Sequence, residues 1–174
     1  VTGTILNDDP GAALVAGITS RLPAKVLGGV KGKVKLLVEN RGDAKSTGRP
    51  LVRLYASLDQ TWDESDVLLG SYKKKFSLHA GKSKKIALSI KYPKLDTQDY
   101  YLIAKVDAPN MTGTGLPDAA RGPVRIERPA TDLTGVFGNA AGLKAGKKNA
   151  LPFTLFNRGN ITAKGRVTIA IFAS

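Results

Sequence analysis

Residues 31–57 read KGKVKLLVENRGDAKSTGRPLVRLYAS, two alternating runs separated by a turn. In the first run, Val34, Leu36 and Val38 occupy every second position, and Val52 begins a second run of the same kind. Successive side chains of a β-strand point to opposite faces of a sheet, so this period of two predicts strands with one buried face.

The same alternation returns further along the chain, in 86–90, 100–106 and 124–126. Turn-forming residues separate these runs, and no stretch of helical length has apolar residues at the i, i+3, i+4 spacing of a helix face. Short strands with turns about every ten residues are typical of two packed sheets. We therefore predict an all-β fold, an immunoglobulin-like antiparallel β-sandwich of about seven strands, followed by a truncated second copy.

The second copy is predicted from an internal repeat. Asn40-Arg41-Gly42-Asp43 returns 117 positions later as Asn157-Arg158-Gly159-Asn160, and Gly48 aligns with Gly165 without a gap. A repeat of this length is the size of one sandwich domain. The chain ends where the first copy has finished only its third predicted strand, so the second copy is expected to be incomplete.

The repeat sets the expected domain boundaries. Residues 1–23 form a lead-in that is either the end of a preceding unit or the first strand, and 24–128 form the sandwich. Residues 129–131 form a linker, because Pro129 cannot extend a strand ladder, and 132–174 form the first half of the second copy. Half a sandwich exposes an apolar face and an unpaired edge, so we expect this segment to be marginally stable by itself.

Composition argues against catalysis. The 174 residues include 27 Lys and Arg, 14 Asp and Glu, one His and no Cys, for a net charge of +13. Without cysteine there are no disulfides, thiolate metal sites or cysteine nucleophiles, and a single histidine leaves few groups for acid-base chemistry. We expect no enzymatic activity. No run of 18 apolar residues predicts a transmembrane segment. The chain starts at Val1 without Met, so we interpret it as mature or excised from a longer protein.

An ordered series of motifs resembles a known family. The segments are, in order, 31–57, 63–70, 78–83 and 99–107. Together they resemble CARDB, the cell-adhesion-related domain found in bacteria, over roughly 24–127 and again from 132. The resemblance implies tandem β-sandwiches of a large exported protein, located outside the cell or on its surface. It implies a structural, adhesion or binding role, with other domains of the parent chain as partners.

The chain departs from the CARDB pattern after Asp107. Family members often continue with Asn and an acidic cluster, whereas Ala108-Pro109-Asn110 here leads into a glycine-rich loop whose only acid is Asp118. A ligand role attached to that acidic cluster is therefore not carried over.

An acidic loop is the candidate metal site. Asp59, Asp63 and Asp66, with Glu64 between them, supply the carboxylate oxygens that calcium prefers. Their spacing differs from that of the EF-hand loop, and the alternative is a solvated connection. Trp62 in the same loop is either an exposed platform for a sugar or a partner, or a lid that folds back on the sandwich edge. We favour the lid.

The excess of lysine is the candidate polymer-binding feature. Lys31, Lys33 and Lys35 share one strand face, and Lys73, Lys74 and Lys75 form a basic run; Lys82, Lys84, Lys85, Lys91 and Lys94 add to the charge. A positive field of this kind attracts anionic polymers such as acidic glycans. Aromatic residues make up only 6%, without a stacking pattern, so specific nucleic-acid binding is not expected. The alternative is that lysines protect sheet surfaces from aggregation.

Three short motifs are interpreted structurally. Arg41-Gly42-Asp43 matches the integrin-binding tripeptide, but the second copy replaces Asp with Asn, so we interpret it as a tight turn with positive φ. Gly81-Lys82-Ser83 resembles the end of a P-loop, but Phe76 stands where the first glycine belongs. His79 is interpreted as a solvated turn residue. Three functions thus remain: a rigid spacer or interaction module, a binding module for anionic surface polymer, and a calcium-stabilised adhesin.

Overall fold

The chain forms two compact units. The structure is a computed structural model that describes residues 11–108 and 120–171, so most of the glycine-rich loop lies outside the described residues. The first unit is Val1–Arg128 and the second is Pro129–Ser174. None of the described residues belongs to a helix with the length and hydrophobicity that a bilayer requires.

All regular elements of the described residues are β-strands. Those of the first unit are β1 (Leu14–Ile18), β2 (Lys25–Leu27), β3 (Lys31–Asn40), β4 (Ser46–Gly48), β5 (Leu51–Ser57), β6 (Val67–Lys73), β7 (Phe76–Leu78), β8 (Ser83–Lys91), β9 (Gln98–Asp107) and β10 (Arg121–Glu127). Those of the second unit are β11 (Leu133–Phe137) and β12 (Phe153–Asn157).

The first unit contains two main sheets. One has three strands in the order β1-β3-β8, and the other has five in the order β2-β10-β9-β5-β6. Neighbouring strands are antiparallel except β2 and β10, and β4 and β7 form a small separate pair. The chain passes from the first sheet to the second between β1 and β2. This is an immunoglobulin-like sandwich, so the predicted fold class is confirmed. The β4 and β7 pair was not anticipated.

The core lies between the two sheets. Val34 faces Leu88 and Leu36 faces Ile86 across the β3–β8 register, and these residues belong to one buried cluster with Leu54 of β5. Every second residue of the long strands points into this cluster. Complete burial of such a side chain stabilises the fold by roughly 1.5–3 kcal/mol. The alternation seen in the sequence is therefore the alternation of inward and outward side chains.

A buried asparagine organises the turn after β3. Asn40 is 0% exposed, and its Oδ1 accepts hydrogen bonds from the N–H groups of Ala13 (3.2 Å) and Gly42 (3.1 Å). Its Nδ2 donates to the carbonyl oxygens of Ala44 (2.8 Å) and Leu78 (3.1 Å). One side-chain amide thus connects the start of β1, the turn and the end of β7.

The second unit contains the same turn. Asn157 Oδ1 accepts hydrogen bonds from the N–H groups of Asp132 (3.1 Å) and Gly159 (3.0 Å). Asn157 Nδ2 donates to the carbonyl oxygen of Ile161 (2.8 Å). These bonds reproduce those of Asn40 to Ala13, Gly42 and Ala44, while Asn157 itself is exposed.

The two units differ in burial. Gly48 and Gly165, which align in the repeat, both have a φ of 122°, a region that favours glycine. Yet Leu54 is 0% exposed and its aligned residue Ile171 is 62% exposed. Among residues 129–171, the other exposed large apolar residues are Leu133, Val136, Phe137, Leu143, Leu155, Phe156, Ile161, Val167 and Ile169.

Candidate functional site

Five lysines share the outer face of the three-stranded sheet, and we call them the lysine face. Lys31, Lys33 and Lys35 alternate with inward-facing residues of β3. The β3–β8 register places Lys91 directly opposite Lys31, and Lys85 lies further along the same face of β8. All five side chains are exposed. Within the described residues none of them forms an ion pair.

The charge of this face is not balanced by its acids. Among the described residues of the outer face, the one carboxylate is that of Glu39, which pairs with Arg41 at 2.9 Å. Like charges directly opposite each other on neighbouring strands destabilise a sheet. The pair of Lys31 and Lys91 therefore does not contribute to folding stability.

The outer face of the five-stranded sheet has the opposite arrangement. There Lys25 pairs with Glu127 (3.0 Å), Arg53 with Asp107 (3.0 Å) and Arg125 with Asp99 (3.3 Å). Pairs at the protein surface contribute only about 0 to 1 kcal/mol each. These three pairs neutralise part of the positive charge on this side, whereas the five lysines of the lysine face have no such pairs within the described residues.

The basic run does not belong to the lysine face. Lys73 is the last residue of β6, the edge strand of the five-stranded sheet, and Lys74 and Lys75 follow it. The Nζ of Lys74 lies 5.8 Å from the ring centroid of Tyr72. The six predicted polymer-binding lysines thus do not share one face, because three lie on β3 and three lie at the end of β6 and in its connection to β7. A common role for them stays a prediction.

Trp62 folds back onto the domain. Its ring meets that of Tyr55 edge-on at 5.9 Å, and the Nζ of Lys105 lies 3.3 Å from the Trp62 ring centroid. This cation–π contact occupies one face of the indole. Trp62 therefore covers the outer face of the five-stranded sheet rather than the sandwich edge. That ring face is closed to a sugar.

The acidic loop forms two local turns. Asp59 Oδ1 accepts hydrogen bonds from the N–H and the hydroxyl of Thr61, both at 2.7 Å, and these bonds hold the pKa of Asp59 below its ordinary value. Asp63 Oδ1 likewise accepts from the N–H (2.7 Å) and hydroxyl (2.6 Å) of Ser65. Asp66 Oδ2 accepts from the N–H of Asp63 (3.1 Å).

These three carboxylates line one depression of about 240 Å³. In the part of the chain that the structure describes, no three acidic or histidine side chains form a group that could hold a metal ion. Calcium binding by Asp59, Asp63 and Asp66 stays a prediction.

The integrin-like tripeptide is part of the Asn40 turn. Asp43 Oδ1 accepts a hydrogen bond from the N–H of Gly11 (2.7 Å), so its carboxylate stabilises the turn. Gly42 does not have the positive φ that we predicted. Glycine is needed there because a Cβ would collide with the backbone of Gly11 and Ala13. The structural interpretation holds, but its physical reason is close approach.

Sequence reasoning did not assign Lys85 and Lys91 to the site. Their alternation along β8 is visible in the sequence, but the register between β3 and β8 is a long-range property. The pairing of Lys31 with Lys91 joins residues 60 positions apart. No local signal in the sequence identifies such a partner.

Comparison with known proteins gives structural neighbours only. No protein-family model and no curated protein matches the chain. The CARDB domain of a Pyrococcus furiosus protein, crystallised in complex with di-metal ions, is 15% identical over 68% of this chain and 94% of its own, with a TM-score of 0.43. A solution NMR structure of that domain is 17% identical over 68% of this chain and 95% of its own, with a TM-score of 0.42.

Part of an enzyme is also similar. The β-glucosidase of Listeria innocua, solved with glucose, is 13% identical over 67% of this chain, with a TM-score of 0.42. The match takes up only 16% of the β-glucosidase chain. Solved CARDB domains are thus among the structures to which this chain is similar, and CARDB is the family that the sequence resembles.

Proposed function

We propose that the chain is a non-catalytic module of a large exported bacterial protein, where it acts as a rigid spacer or interaction domain outside the cell. The observation that carries this proposal is the interior of the first unit. Within the described part, the buried residues other than Asn40, Ser46 and Ser57 are apolar or tyrosine. Such an interior stabilises a fixed shape and holds no carboxylate, imidazole or amine for acid-base chemistry.

A rigid spacer keeps its two ends at a fixed distance from each other, and this distance can be measured. The first unit is placed between a donor and an acceptor fluorophore, and the distribution of transfer efficiencies is compared with that of a Gly/Ser linker of equal residue number. A folded unit should give a narrow distribution, whereas the linker should give a broad one. Equal widths for the two inserts would contradict the proposal.

A second function is favoured by the lysine face. We propose that the module also binds an anionic surface polymer, specifically an acidic glycan, through this face. Support comes from the five lysines of this face, which form no ion pairs within the described residues and among which Lys31 lies opposite Lys91. A shallow depression of about 410 Å³, lined by Lys31, Gly32, Lys33, Ser89 and Ile90, lies at the end of the face where these two lysines meet. Repulsion between the lysines is relieved when a polyanion lies across them.

The polymer proposal is tested with polygalacturonate across a salt series. Binding should weaken steeply as salt rises, because surface charges are screened within about 8 Å at physiological ionic strength. A neutral galactan of similar length is the control. Binding of both polymers with the same affinity, or of neither, would exclude this function.

Calcium stabilisation is the third proposal. Asp59, Asp63 and Asp66 line one depression, and calcium binding requires the loop to rearrange so that their carboxylates converge on the ion. The midpoint of thermal unfolding should rise with the logarithm of calcium concentration if the ion binds the folded state alone. Magnesium at equal ionic strength is the control, and Asp63→Asn should abolish the rise. An unchanged midpoint in calcium excludes the site.

A further inference from the structure

A large cleft opens at one end of the first unit. It measures about 840 Å³ and is lined by residues 18–24, which connect β1 to β2, and by 121–123 at the start of β10. The register between β9 and β10 shifts between Arg121 and Val124. Irregularities of this type re-aim side chains and are common near binding sites.

Two arginines line this cleft. Arg21 lies in the connection after β1, and Arg121 begins β10. Both are exposed, and in the described part of the chain neither forms an ion pair. A guanidinium group offers a planar fork of donors that fits a carboxylate with two parallel hydrogen bonds. Two unpaired forks in one cleft are therefore an anion-binding arrangement.

The cleft adjoins the lysine face. The N–H of Thr19 and that of Ser20 donate to the carbonyl oxygen of Lys35, at 2.9 and 3.4 Å. In return, the N–H of Lys35 donates to Ser20 Oγ at 3.1 Å. Thr19 and Ser20 line the cleft, so the wall of the cleft is hydrogen-bonded to the last lysine of the β3 row.

The remaining lining is apolar. Leu22, Pro23 and Pro123 contribute hydrocarbon surface without hydrogen-bond donors of their own side chains. A sugar ring presents C–H groups on its faces and polar groups at its rim. An acidic sugar can therefore place its carboxylate against the arginines and its C–H groups against the prolines.

We propose that the cleft between Arg21 and Arg121 binds the carboxylate of a terminal uronic acid residue, while the following residues of the same glycan lie on the lysine face. The inference rests on the proposed binding of acidic glycans. It also gives the bound glycan a direction, since one end of the glycan lies at the Lys35 end of the β3 row.

The test uses the full chain and oligogalacturonates of two lengths, a trisaccharide and a decasaccharide, in equilibrium titrations. Arg21→Gln with Arg121→Gln removes the cleft charges. Lys33→Gln with Lys91→Gln removes two charges of the lysine face. Lys144→Gln with Lys147→Gln removes the same charge in the second unit and is the matched control. All six positions are exposed, and thermal unfolding of each variant checks the fold.

The arginine variant and the lysine-face variant should differ in which of the two oligosaccharides they bind less tightly. The arginine variant should lose about tenfold in affinity for the trisaccharide, as expected for lost hydrogen bonds to a charged group. The lysine-face variant should bind the trisaccharide normally and bind the decasaccharide less tightly, because two charges that face the glycan are removed. The control variant should follow the wild type with both.

The outcomes distinguish the cleft from the glycan function. If the wild type binds the decasaccharide but the arginine variant binds the trisaccharide as well as the wild type does, the cleft assignment is wrong and the polymer function stands. If the wild type binds neither oligosaccharide, both are wrong. Equal loss in the control and arginine variants would also overturn the cleft, because net charge alone would then explain the binding.

Discussion

The two units of the chain share one turn and differ in what surrounds it. In the first unit, the amide of Asn40 is fully buried and also donates to Leu78 O of β7. In the second, Asn157 makes the same three hydrogen bonds, two within the turn and one to Asp132, but is exposed. The turn therefore follows from Asn and Gly at fixed spacing and does not require burial.

Stability is not encoded locally. Hydrogen bonds that are open to water contribute little, because water replaces them when they break. Burial of apolar side chains provides most of the free energy of folding. The second unit repeats the turn and the apolar residues of the first, yet Leu155 and Ile171 remain 41% and 62% exposed. We expect this contrast to appear in every measurement of stability.

The largest effect is expected from separating the units. A chain ending at about Ala130 should unfold in one cooperative thermal transition, because it keeps both sheets and the core. Residues 129–174 alone should show no such transition, since a two-stranded sheet is marginal in water. Calorimetry of the two fragments gives the measurement. A cooperative transition in the second fragment, or its loss in the first, would refute the contrast.

Aligned core positions provide the next test. Leu54→Ala should lower the free energy of unfolding by about 2 to 5 kcal/mol, because it leaves a cavity in a packed core. Ile171→Ala, at the aligned position, should change it by about 0.5 kcal/mol or less. Urea unfolding of the full chain measures both. Similar losses would mean that Ile171 is buried in solution.

The turn asparagines should differ less. Asn40→Ala leaves the buried carbonyl oxygen of Leu78 without its side-chain donor, which costs about 1 to 3 kcal/mol, and it removes the bonds to the part-buried groups of Ala13 and Ala44. Asn157→Ala exposes its partners to water and should cost about 1 kcal/mol or less. Urea unfolding again gives the comparison. If both variants lose the same free energy of unfolding, the hydrogen bonds of the turn, and not its burial, determine how much the asparagine stabilises the fold.

The sequence predicted the features that depend on residues close to each other in the chain. The alternation around Val34 and Val52 placed the strands and their inner faces, and the aligned asparagines identified both turns. It gave the wrong reason for Gly42, because the approach of Gly11 to the turn is a contact between distant segments. The small β4 and β7 pair was missed because strands of three residues carry no readable period.

The candidate sites were less accessible to the sequence. Lys31, Lys33 and Lys35 were grouped correctly by spacing within one strand. Lys91 joins them only through strand register, and Arg21 and Arg121 meet in one cleft only because the connection from β1 to β2 passes from one sheet to the other. The basic run from Lys73 was grouped with the strand lysines by charge alone, and charge does not determine which sheet a residue occupies.

The smallest expected effect concerns pH and reports on the first unit alone, which contains all five tyrosines. Tyr92 is 4% exposed, and burial raises the pKa of its phenol. Its stabilising contribution is therefore complete below the unfolded-state pKa of about 10 and is lost as pH rises through the higher folded-state pKa. The free energy of unfolding should fall above about pH 10 in the wild type.

Tyr92→Phe isolates this contribution from the titration of the many lysines. The variant keeps the ring in the core and removes the ionisable hydroxyl, so its stability should decline less steeply above about pH 10 than that of the wild type. Urea unfolding at neutral pH checks that the core is intact. Parallel declines in the two proteins would show that Tyr92 ionises as readily in the folded chain as in the unfolded one. The core of the first unit would then be more open to water than its burial indicates, and the contrast with the second unit would weaken.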